Sequence, residues 1–160
     1  MALDDELERY RMDVAHAYLE RIRKMGDDCA GLQAQIDDAY ARAEGVRGID
    51  YSAVRVSTSP SQDAMPNAVA ELVDRIGEYV SDLAAYEDER HEAHKSLMLM
   101  HDQVEAKALR YRYLLGWKWE RICTEMDYTW DGMMKLRRRA LADYWEVMPR
   151  VERDAIPQAF

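Results

Sequence analysis

Lys135, Arg137, Arg138 and Arg139 stand together in a run of helical spacing, and the chemistry open to such a group is to hold phosphate. A basic run more often only solvates a helix face, so register decides. Burying Met133, Leu136 and Ala140 at about 100° per residue turns Asp131, Met134, Lys135, Arg138 and Ala142 outward and leaves Arg137 and Arg139 on the flanks. Outward positions near the start of such a helix can reach base edges in a DNA major groove, and flanking arginines suit the phosphates. Lys118, Arg110 and Arg112 add candidate phosphate contacts.

Other chemistry is poorly served. His91, His94 and His101 share one helix, but His91 and His94 are three apart, so the zinc-protease pattern H-E-x-x-H is not met. His94 and His101 are expected as half-buried seam residues. Cys29 and Cys123 form no CxxC pair, so no metal–thiolate site is expected. The chain shows no glycine-rich phosphate loop, nucleophile elbow or paired-carboxylate constellation. It reads as a non-enzyme without a cofactor.

The elements that would position the basic residues are two short helices in the stretch Gly116–Leu141. Trp119, Ile122, Cys123 and Met126 give one apolar run, and Met133, Leu136, Ala140 and Leu141 the next. Asp127, Tyr128 and Thr129 lie between them. This spacing predicts a helix-turn-helix, with Thr129 capping the second helix. A preceding helix is expected from Asp102, whose D-x-x-E run to Glu105 has the capping-box form, to Leu115. It would bury Leu109, Tyr113 and Leu114 and end at Gly116.

Upstream, Leu3 to Ala43 reads as one long helix with a seam at Tyr18, Ile22, Met25, Cys29, Leu32, Ile36, Ala39 and Ala43, interrupted by Gly26 and Gly31, where a bend is expected. Gly45 to Pro66 breaks the pattern and reads as a connector. A second helix starts near Asn67, with a seam at Val69, Val73, Ile76, Val80 and Leu83. Two such helices should fold back as an antiparallel, coiled-coil-like hairpin, with Tyr40, Tyr79 and Tyr86 exposed for self-association or a partner protein. The expected architecture is all-α: a hairpin over 1–101 with its connector at 45–66, a three-helix unit over 102–148, and an irregular tail at 149–160.

Taken as a total, the net charge of −9 argues against nucleic acid, but its distribution does not. Residues 1–103 carry 11 Lys/Arg against 22 Asp/Glu, whereas residues 104–150 carry 10 against 7. A phosphate backbone meets the local field of that basic end. No run approaches about 18 apolar residues, so no membrane span is expected, and a cytoplasmic location fits the cysteine usage and the acidic amino terminus.

The segment from Leu109 to Leu141, LRYRYLLGWKWERICTEMDYTWDGMMKLRRRAL, resembles the DNA-binding unit of phage and prophage late-gene transcriptional regulators of the ArpU/RinA type, itself similar to the fourth region of bacterial sigma factors. Gly116, Trp119, Glu120, Ile122, Met126, Tyr128, Thr129, Arg139, Ala140 and Leu141 carry the likeness, and Val56-Ser57-Thr58-Ser59-Pro60 extends it loosely upstream. The resemblance implies a sequence-specific regulator bound to double-stranded DNA through Lys118, Thr129, Trp130, Asp131, Met134, Lys135, Arg137, Arg138 and Arg139. It leaves room for contact with RNA polymerase and for homo-oligomers through the hairpin. Three departures bear on this: Lys118 replaces a Ser/Thr cap, Cys123 a usual alanine, and Trp130-Asp131-Gly132 a triplet that tends to carry arginine or glutamine. Asp131 would repel phosphate, although it can accept from cytosine N4. A phage DNA-packaging small subunit and a protein-binding helical adaptor are the alternatives.

Overall fold

Helical spacing dominates the sequence, and the computed structural model, which describes residues 2–47 and 64–154, is all-α over those residues. The elements are α1 (Ala2–Arg47), α2 (Ala64–Met98), α3 (Gln103–Leu109), α4 (Trp119–Met126), α5 (Trp130–Val147) and α6 (Arg150–Asp154). The chain leaves α3 through a π-helical turn, Arg110–Leu114. α1 and α2 thus reach into the expected connector from both sides, and residues 48–63 lie outside the described part. α2 begins before Asn67 rather than at it. A short helix at 150–154 takes the place of irregular tail, with the Pro149 carbonyl accepting from the amides of Glu152 and Arg153 at 3.1 Å.

The contacts divide the chain into two units, Met1–Gly26 with Tyr86–Phe160, and Asp27–Ala85. The first is built on a core of Val14, Leu19 and Ile22 from α1, Leu97 from α2, and Leu109, Tyr113, Leu141 and Tyr144 from the carboxy-terminal helices. The sequence places a boundary at 101/102; the contacts cut both long helices instead. The cause lies in the first half of α1, where Val14, Ala15, Tyr18, Leu19 and Ile22 are all buried. That stripe is broader than the coiled-coil seam that begins at Tyr18, and one partner helix cannot cover it. Ion pairs from Arg11 to Glu146 (3.1 Å) and from Arg21 to Glu152 (3.0 Å) and Glu89 (3.2 Å) flank it. α1 is continuous through Gly26, whose missing side chain has a use: a Cβ there would stand 3.0 Å from the Tyr86 hydroxyl oxygen. Gly26 facing Tyr86 while Arg21 meets Glu89 shows that these parts of α1 and α2 run antiparallel.

In the second unit, Cys29, Leu32, Ile36 and Ala39 of α1 are buried or half-buried, as their spacing predicts. Of the seam read for α2, only Leu83 lies in the row that packs. Val69, Val73, Ile76 and Val80 are exposed, and the half-buried row is Ala68, Leu72, Arg75, Tyr79 and Leu83. Two apolar rows of the same 3–4 spacing coexist on α2, and the one with the larger side chains, Leu72 and Tyr79, turns inward because it removes more area from water. Arg75 joins that row by donating to Gln35 on α1 and to Glu71 (3.0 Å). Tyr79 and Tyr86 are therefore half-buried, and of the three tyrosines expected at the surface only Tyr40 is exposed. His94 and His101, expected as half-buried seam residues, are exposed too, as is His91. Among the described residues, no helix is long and apolar enough to cross a membrane.

Candidate nucleic-acid interface

The unit that carries the basic residues is assembled by local devices legible in its sequence. Asp102 caps α3, its carboxylate accepting from the amides of Val104 (2.8 Å) and Glu105 (3.2 Å). Gly116, at φ +69°, turns the chain after the π-helical turn. The following loop is held by its aromatics: Trp117 stacks on Tyr111 with centroids 4.4 Å apart, and Arg112 donates to the Trp117 carbonyl at 3.0 Å. α4 ends on Asp127 in the left-handed region at φ 56°, a conformation that Asp and Asn tolerate better than most side chains. Thr129 then caps α5, accepting from the Gly132 amide at 3.2 Å. Ala108, Ile122, Met133 and Leu136 form the small core beneath.

This turn sets α4 and α5 as a helix-turn-helix. Along α5, Asp131, Lys135 and Arg138 are exposed in one row, and Trp130 is exposed at its start. Met134, expected in the same row, is half-buried and packs against the small core, because it lies at the edge of the stripe that Met133 begins. Lys118 precedes α4 with its side chain exposed and making no capping hydrogen bond. The structure adds Arg121, exposed one turn further on, with its guanidinium 3.7 Å from the centroid of the Trp117 ring. The i,i+4 spacing of Trp117 and Arg121 is the signal in the sequence for this contact.

The flanking arginines are engaged within the fold. Arg137 is half-buried, its guanidinium 5.8 Å from the Trp119 ring centroid. Arg139 donates to Glu105, whose side chain is only 1% exposed. Arg112 lies 5.9 Å from the Trp119 centroid on the way to its carbonyl partner, and Arg110 lines a hollow with Glu87, Arg90, His91 and His94. Arg138 borders a groove shared with Asp5, Glu8, Arg9 and Met12 of α1, so carboxylates stand beside the outward row.

Burial sets the titration of the groups beneath. Desolvation raises the Glu105 carboxyl above its ordinary value of 4.5; Arg139 opposes the shift and Asp143 adds to it. His16 shares a 2.8 Å hydrogen bond with the Tyr113 hydroxyl, and its pKa is lowered below 6.5 by burial first and by the Arg137 charge second. Among the described residues no group of three His, Cys, Asp or Glu side chains is placed to hold a metal ion. No family model, curated protein or solved structure matches the chain.

Proposed function

We propose that this chain is a sequence-specific, double-stranded DNA-binding protein that regulates transcription of phage or prophage late genes, in the manner of the ArpU/RinA-type regulators its carboxy-terminal segment resembles. The observation that carries the reading is the α4–turn–α5 geometry: a three-residue turn fixed by Asp127 and Thr129, with Asp131, Lys135 and Arg138 in one exposed row on the second helix. A helix held this way can enter a major groove with that row toward the base edges. Lys118 and Arg121, exposed at the start of the first helix, suit the phosphates alongside. The acidic surfaces of α1 and α2 are suited to basic patches on RNA polymerase rather than to DNA. A non-enzymatic, cytoplasmic protein without cofactor fits this role.

A second reading, a helical adaptor that binds protein, draws support from one observation: Asp5 and Glu8 stand beside Arg138, and Asp131 shares the row. A gel-shift titration separates the two. On a site selected from random duplex, Lys135→Ala with Arg138→Ala should weaken binding about 10- to 100-fold, as expected for lost base contacts worth about 1–3 kcal/mol. Unchanged affinity sinks the assignment of α5 as the reading helix. A ring of many subunits in light scattering would instead favour a DNA-packaging small subunit.

A further inference from the structure

Between residues 69 and 84 one side of α2 carries no charge. At about 100° per residue, Val69, Val73, Ile76 and Val80 make one row flanked by Ala70, Gly77 and Ala84, while Glu71, Asp74, Arg75, Glu78 and Asp82 all fall on the remaining sectors. The row is exposed: Val69 by 52%, Val73 by 60%, Ile76 by 42% and Val80 by 58%. It stops at Glu87, the position where the same spacing would continue. In a chain with 33% charged residues, a solvated face would not keep four turns free of charge, and a contiguous aliphatic row of this kind marks a contact.

We propose that this row is the contact between two copies of the chain, packed with their α2 helices antiparallel. Two observations select a second copy as the occupant. The 4-3-4 spacing reads the same in both directions, so a reversed copy sets Val69 against Val80 and Val73 against Ile76, with a β-branched side chain on both sides of every layer. A two-fold contact requires such self-complementarity and a foreign helix does not. Charge makes the same selection. Two copies of an acidic surface, 22 Asp/Glu against 11 Lys/Arg over residues 1–103, meet without confronting carboxylates only where charge is missing, and this sector is that place. Along one flank, Ala70 and Gly77 leave room for the second backbone; a Cβ on Gly77 would meet nothing within 4 Å. At 1.5 Å rise per residue the seam from Val69 to Val80 is about 18 Å long, short enough that the dimer should dissociate on dilution. The inference stands apart from the DNA reading, since the row lies wholly within Asp27–Ala85.

Sedimentation velocity of the full chain over a concentration series tests it. The wild type should pass from monomer to dimer. Val73→Glu and Ile76→Lys should each remain monomeric with unchanged far-ultraviolet dichroism, and mixing the two should restore the dimer, because position 73 of one copy faces position 76 of the other. A wild type that stays monomeric throughout overturns the proposal, and so does a dimer indifferent to Val73→Glu. Restoration by mixing Val73→Glu with Val73→Lys in place of Ile76→Lys would show parallel packing and overturn it as well. A monomer in which Val73→Glu makes residues 48–63 newly sensitive to protease assigns the row to the chain's own connector, against the proposal.

Discussion

Arg139 looks in sequence like one of three equivalent cations, and its surroundings give it a different task. Its guanidinium meets the buried carboxylate of Glu105, which would otherwise be left without a compensating charge. Arg139→Ala should lower the melting temperature, and adding Glu105→Gln should recover most of the loss; a surface phosphate contact would show neither effect. His16 makes a pH prediction with a definite sign. Its pKa in the fold lies below 6.5, so folding disfavours the protonated ring and stability falls as pH drops below 6.5 through the folded value. Glu105 acts with the opposite sign, because a carboxyl raised above 4.5 is best accommodated protonated. Thermal melts of wild type and His16→Gln across this range isolate the histidine: the variant should lose the decline on moderate acidification, and an unaltered profile would show that His16 does not cause it.

At the scale of the element, the turn between α4 and α5 can be tested by its cap. Thr129→Ala should cost about 1 kcal/mol in denaturant titration, with Ser largely restoring it. Glycine is a poor helix former, and in an open helix the replacement of Gly132 by Ala would gain about 1 kcal/mol. Here a Cβ would lie 3.1 Å from the Thr129 hydroxyl oxygen that the Gly132 amide bonds, so Gly132→Ala should gain much less than that. These local devices were readable because each depends on a few adjacent residues: the caps at Asp102 and Thr129, the turn at Gly116, and the buried faces of α3 to α5. What the sequence concealed depends on partners distant in the chain. The inward row of α2 is not legible in the sequence, because two apolar rows of similar spacing compete there and only α1 decides between them. The contacts of Arg137 with Trp119 and of the exposed Arg139 with Glu105 are not legible in the sequence, because Trp119 and Glu105 lie on other helices. The readable part of the candidate site is its frame and the exposure of Asp131, Lys135 and Arg138.

For the whole molecule, the first half of α1 belongs to the same unit as the helix-turn-helix, so its acidic start bears on the proposed DNA face. Asp5 and Glu8 beside Arg138 should reduce its attraction for phosphate and for guanine edges. Asp5→Asn with Glu8→Gln should therefore tighten DNA binding, most at low salt, where screening is weakest; unchanged affinity would show that these carboxylates lie away from the bound duplex. Whether the α4–α5 face meets DNA can be read from anisotropy titration of the intact chain with random duplex over a salt series. With Lys118, Arg121, Lys135 and Arg138 exposed on that face, binding should appear at low salt and weaken with a log–log slope of about −3 to −4. Lys118→Ala with Arg121→Ala should flatten the slope by about 2. No binding at low salt, or a slope indifferent to those two substitutions, would contradict DNA contact through this face.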